Sequence, residues 1–93
     1  MNFEWDSEKA ARNLAKHGVS FAEAASVFMD VSGLTFFDPD HSDEEDREIT
    51  IGMSAKQRML FVSYSVRGGR IRVISSRKAT RHERKQYEED VGI

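Results

Sequence analysis

Between Lys56 and Lys85 the chain carries ten lysine and arginine side chains: Lys56, Arg58, Arg67, Arg70, Arg72, Arg77, Lys78, Arg81, Arg84 and Lys85. Glu83 is the one acid among them, so the stretch holds +9. Guanidinium forks match phosphate oxygens, and each phosphate contact releases counterions, so a run of this kind suits a polyanion. A solvated face, or a patch for an acidic protein, has the same composition. The run is densest from Arg77 to Arg84, where a strand ends and a capped helix begins. The first backbone N–H groups of a helix are themselves an anion site, and Arg81 stands at the first helical position.

Three side chains in this region can move protons. His82 lies among Arg81, Arg84 and Lys85 and is a candidate base or an exposed helix residue. Glu83 is a capping residue or a catalytic carboxylate. Tyr87 is an acid/base group, a base-stacking platform or an anchor of its helix to the sheet. Elsewhere, His17 sits in the last turn of a helix, where a cation suits the dipole. His41 lies in an acidic loop beside Asp38, Asp40 and Asp43. Those oxygens suit a hard metal, but their spacing matches no EF-hand loop and no metal site is expected.

Something must position these groups. The chain has 93 residues, 39% hydrophobic and 32% charged, with one proline and no cysteine. That length fits one domain over residues 1–93 with a thin core. The composition excludes collagen-like and fully disordered chains. Without cysteine there is no disulfide, thiol nucleophile or zinc–thiolate site, in keeping with a cytoplasmic protein. No apolar run approaches the length of a membrane span, and no signal peptide or phosphate-binding glycine loop is visible. The net charge of −2 is an average that conceals a division. Residues 1–46 hold three basic groups against eleven acidic ones, and residues 47–93 hold eleven against five. Such asymmetry points to nucleic acid or an acidic counterpart.

The periodicities predict a short strand at Phe3–Trp5 and a helix capped by Asp6, with Ala10, Ala11 and Leu14 on one face and Gly18 ending it. Ser20 and Glu23 form a capping box for a second helix carrying Phe21, Ala24, Ala25 and Phe28. The two helices read as a hairpin. Strands follow at Leu34–Phe37, around Ile49, Ile51 and Met53, through Leu60, Val62, Tyr64 and Val66, and from Arg70 to about Ser76. Residues 38–46 form an acidic loop, either simply solvated or placed near the basic face or a protein partner, and its charge would have it border an RNA groove rather than line it; Gly68-Gly69 makes a hairpin turn. Thr80 and Glu83 cap a last helix running to about Asp90, with a narrow apolar stripe of Ala79, Tyr87 and Val91. The class is α+β: an N-terminal helical hairpin on a mainly antiparallel four-stranded sheet, helices on one face, and a C-terminal helix.

Six segments in this order resemble the BrnT family, the toxins of type II toxin–antitoxin systems. They are Phe3-Glu4-Trp5-Asp6, Lys16-His17-Gly18-Val19-Ser20-Phe21, Glu23-Ala24, Phe37-Asp38-Pro39-Asp40-His41-Ser42, Arg47 with Ile51-Gly52, and Ile74 through Arg84 with Tyr87-Glu88. The match runs from Phe3 to about Glu89. Ser76 departs from the pattern, in which alanine is the more usual residue there. The resemblance implies a RelE-like fold and a ribonuclease that halts translation. It implies an RNA substrate and a BrnA-like antitoxin with a ribbon-helix-helix part, the complex binding its own promoter DNA. It leaves a homodimer open and calls for no cofactor.

For such an enzyme, metal-independent cleavage by the substrate 2′-hydroxyl needs a base, an acid and cationic stabilisation of the phosphorane. Arg77 and Arg81 are the expected phosphate stabilisers, and His82, Glu83 or Tyr87 the expected proton carriers. Arg70, Arg72, Lys78, Arg84 and Lys85 are the expected RNA contacts. The competing reading is a non-catalytic nucleic-acid-binding or regulatory module with the same basic face.

Overall fold

Three side-chain oxygens start the three helices. Asp6 accepts from the backbone N–H groups of Glu8 (2.8 Å) and Lys9 (3.1 Å) and opens α1, Ser7–His17. Ser20 accepts from the Glu23 N–H at 3.0 Å and opens α2, Phe21–Ser26, which continues as a 3₁₀ turn, Val27–Met29. Thr80 opens α3, Arg81–Asp90, with a full capping box. Its Oγ1 accepts from the Glu83 N–H at 3.2 Å, and Glu83 Oε1 accepts from the Thr80 N–H at 2.8 Å. Each cap satisfies amide groups that the first turn of a helix leaves without a partner. Gly18 ends α1 in the left-handed region, φ 69°, where glycine has no Cβ to clash.

The computed structural model describes residues 1–40 and 46–92. Its strands are β1 (Asn2–Glu4), β2 (Leu34–Phe37), β3 (Arg47–Met53), β4 (Met59–Arg67) and β5 (Arg70–Lys78). They form one sheet in the order β1-β5-β4-β3-β2. β2 to β5 pair antiparallel as a meander, and β4 and β5 are joined through Gly68 and Gly69, both at positive φ. The expected sheet of four strands is thus one strand short. β1 joins the far edge parallel to β5, placing Asn2, Phe3 and Glu4 beside Arg70, Ile71 and Arg72. Phe3 holds it there, its ring 5.4 Å from that of Phe28. β5 also runs on to Lys78, beyond the expected end at Ser76, so Arg77 lies within the strand. Of the acidic loop, residues 41–45 lie outside the described residues, and with them the expectations for His41 and Asp43.

Alternation along the strands divides the core between two faces. On one face Val19, Phe21, Ala24 and Val27 pack against Leu60, Val62 and Val73. On the other, Tyr87 of α3 packs with Ile49, Ile51 and Met59, and Phe61 and Met53 join them. Helices therefore cover both faces rather than one. Nor do α1 and α2 form a hairpin; each lies mainly on β5. The reason is the side of α1 that turns inward. Leu14 is 52% exposed and Ala11 is exposed, while Asn13 is buried. The Asn13 carboxamide donates to the carbonyls of Val19 (2.9 Å) and Ser76 (2.8 Å) and accepts from the Ser76 N–H (3.1 Å). β1 stops beside Arg72, leaving Ser76 on a free edge, and the amide takes the place of the missing strand.

Two polar ties fix the remaining elements. Glu23 is buried and gives its carboxylate to the Arg58 guanidinium and to the Ser54 hydroxyl (2.7 Å), not back to Ser20, so only half of the expected capping box forms. Asp30, after the 3₁₀ turn, accepts from the N–H groups of Ser32 (2.9 Å) and Met53 (2.8 Å) and from the Tyr87 hydroxyl (2.7 Å). That pins α3 to the sheet. Among the described residues no helix is long and apolar enough to cross a membrane.

Candidate active site

α3 covers only part of its sheet face. Cross-strand register puts Arg77, Ser75 and Arg72 of β5 on the same face as Phe61, Ser63 and Ser65 of β4. Arg77 stands opposite Phe61, with its Cζ 4.1 Å above the ring, a cation–π contact. Its Nη1 and Nη2 donate to the two Glu83 oxygens at 2.8 and 3.0 Å, and Nη1 also donates to the Lys78 carbonyl at 3.2 Å. A guanidinium has five N–H donors, so among the described residues two remain without a partner, on Nε and Nη2. These lie side by side along one edge of the plane, the fork that grips two oxygens of a phosphate.

Glu83 serves the helix cap and the arginine together. Burial alone would raise its carboxyl, but the bonds from Arg77 and the Thr80 N–H outweigh this and hold it below the usual carboxylate range. Arg77 is correspondingly pushed up by its Glu83 bonds. A carboxylate so held is a fixed anion that orients Arg77. It is not poised to exchange protons near neutrality.

Beside this pair lies a cleft of about 440 Å³. Phe36, Ile49 and Phe61 make an apolar floor, His82, Glu83 and Gln86 of α3 form one wall, and Asp38, Pro39 and Asp40 form the other. The start of the acidic loop therefore lines the cleft rather than only bordering it. His82 and Gln86 are four residues apart and share one flank of α3. Flat apolar side chains with polar edges suit a stacked nucleobase.

His82 and Glu83 thus line one cleft, and Arg77 is tied to it through Glu83 and Phe61. The other expected residues do not line it. Arg81, Arg84 and Lys85 line a separate groove with Glu88 on the outer side of α3. Lys78 shares another with Gln57, Arg58 and Arg84. Arg70 and Arg72 lie on the Arg77 face but farther along β5, where Arg72 is paired with Glu4 at 3.1 Å. Tyr87 is buried and its hydroxyl is committed to Asp30; burial and that carboxylate both push it up. It anchors α3, packed with Ile49 and Phe61 of the cleft floor without lining the cleft itself. Phe61, Phe36 and Gln86 were not foreseen. Only Gln86 had a local signal, its helical spacing from His82. Among the described residues no three His, Asp or Glu side chains gather as a metal-binding group.

No curated protein sequence matches the chain. The crystal structure of the Brucella abortus ribonuclease toxin BrnT superposes with a TM-score of 0.68 at 28% identity, covering 87% of this chain and 99% of that one. The family model for the ribonuclease toxin BrnT of type II toxin–antitoxin systems matches residues 5–83, most of the chain, so the protein belongs to the BrnT toxin family.

Proposed function

We propose that this chain, acting as one toxin domain, is a metal-independent endoribonuclease whose reaction takes place where the cleft meets Arg77. The observation that carries the reading is the fixed guanidinium. Glu83 and Phe61 hold Arg77 on two sides and leave two of its donors open, and both of these partners line the cleft together with His82. The 2′-hydroxyl of the substrate attacks the adjacent phosphorus and its proton passes to His82. The bond to the 5′ oxygen breaks, and that oxygen takes a proton from water. The products are a 2′,3′-cyclic phosphate and a 5′-hydroxyl. Arg77 binds the phosphorane oxygens, where charge accumulates, and Glu83 acts as its positioning residue. Arg70, Arg72, Lys78, Arg81, Arg84 and Lys85 contact the flanking strand.

As in its family, the chain pairs with an antitoxin. A BrnA-like ribbon-helix-helix partner would cover the cleft and carry the complex to its own promoter, in the cytoplasm. RNA incubated with purified protein in EDTA tests the chemistry: cyclic-phosphate ends are expected. Arg77→Ala should lower kcat by roughly 10²–10³-fold, and His82→Ala by roughly 10²–10⁴-fold, with circular dichroism unchanged. A salt-dependent gel shift without cleavage would instead identify a binding module, and full activity in both variants would remove the assignment.

A further inference from the structure

The acidic N-terminal half has only three basic side chains within residues 1–46, and all three lie on one side of one helix. Lys9, Arg12 and Lys16 occupy positions i, i+3 and i+7 of α1. Together with His17, Asn13, Ile74 and Ser75 they line a groove of about 380 Å³. Lys9, Arg12 and Lys16 are exposed, and Arg12 reaches Glu8 only at 4.0 Å, the outer limit of an ion pair.

The orientation of α1 decides what this flank faces. Asn13 bonds to the backbone of Ser76 in the plane of the sheet, so α1 sits along the β5 edge with one flank on each side. Ala10 falls on one flank and packs into the core of Val19, Phe21 and Leu60. At 100° per residue, Lys9, Arg12 and Lys16 fall on the opposite flank. They look toward the sheet face that holds Arg77. Ser75 is the bridge: it is exposed, it lies on the Arg77 face by register, and it lines the α1 groove. Ser75 and Arg77 are two residues apart on a strand, about 7 Å.

We propose that the basic flank of α1, with Ser75, is a phosphate-binding track for single-stranded RNA leaving the cleft. The inference rests on the ribonuclease reading and adds to it a second contact region. The strand would pass from Arg77 over Ser75 to the lysines and the arginine of α1. Three cations at helical spacing, beside a hydroxyl donor and without an aromatic platform, suit phosphates rather than bases.

The test is binding, measured by fluorescence anisotropy. The probe is a 2′-O-methylated oligoribonucleotide of about twenty residues, which lacks the attacking hydroxyl. The triple variant Lys9→Ala, Arg12→Ala, Lys16→Ala keeps helix propensity and removes the three charges. Each phosphate contact on a single strand contributes a slope of about −0.7 to log K against log salt, so the variant should flatten the slope by roughly 2. It should also bind more weakly at low salt, with an unchanged melting curve. A wild-type slope in the variant overturns the proposal, as does an unchanged slope with lost binding to an acidic protein partner, which would give the flank to protein. The two readings fail separately. Absence of RNA cleavage by the wild-type protein would count against the ribonuclease, and an unaltered salt slope against the track alone.

Discussion

Replacing Asn13 by leucine should be among the most damaging changes outside the apolar core. The substitution is close in size and more hydrophobic, and it would fit the row of Ala10 and Leu14. It nevertheless removes three hydrogen bonds, of 2.9, 2.8 and 3.1 Å, and leaves the carbonyls of Val19 and Ser76 and the Ser76 N–H without partners at a buried edge. At about 1 kcal/mol for each group, the lower end for an unsatisfied buried polar group, the loss is about 3 kcal/mol. A domain of this size has about 5–15 kcal/mol in all. At about 4–8 °C per kcal/mol, the melting temperature should fall by roughly 12–24 °C. Thermal unfolding followed by circular dichroism reads this directly. Asn13→Asp supplies a second measurement: its carboxylate can accept from Ser76 but cannot donate to either carbonyl, so it should be destabilised at neutral pH and recover partly when protonated in acid. Leu14→Lys is the control, expected to change stability by less than about 0.5 kcal/mol because Leu14 is half exposed. A fall of less than about 5 °C for Asn13→Leu would show that the carboxamide does not replace a strand.

Tyr87→Phe should cost about 1.5–3 kcal/mol through loss of a hydrogen bond to a charged group, while cleavage per folded molecule stays at the wild-type level; loss of kcat would return Tyr87 to the chemistry. Among the described residues the buried Ser76 hydroxyl has no hydrogen-bond partner, so Ser76→Ala should raise stability by about 1 kcal/mol, and a lower melting temperature would contradict this. Stability should also fall in acid. Arg58, despite the opposing effect of burial, lowers the Glu23 carboxyl; burial of Glu83 and Asp30 is outweighed by the bonds they accept. Groups depressed in the folded state stabilise it above their unfolded pKa and lose that contribution as pH falls through the folded value. Melting temperature should therefore be level near neutrality and drop below about pH 4.5, less steeply in Glu23→Gln. A flat profile down to pH 3 would refute the sign.

What was legible in the sequence is what depends on near neighbours. Asp6, Ser20 and Thr80 announce their helices because a cap needs only the next three residues. The strand alternation of Ile49 and Ile51, and the Gly68-Gly69 turn, are local in the same sense. The inward side of α1 was not legible, because Asn13 is wanted only where β1 ends and exposes the edge of β5, some sixty residues away. The basic run was misleading for a related reason. Counted along the chain it is +9, but strand alternation and helical period send its members to different surfaces. Carboxylates from distant elements then claim two of its arginines, with Glu23 on Arg58 and Glu4 on Arg72. Arg77 is also paired, by the one acid inside the run, and there the pairing has the opposite consequence. If Arg77 binds phosphate as proposed, a free guanidinium on a flexible stem would have to be ordered when the phosphate arrives; Glu83 and Phe61 order it in advance and leave two donors open. In a polar face, a functional arginine is marked less by the charge around it than by how completely its other contacts fix the direction of the donors that remain.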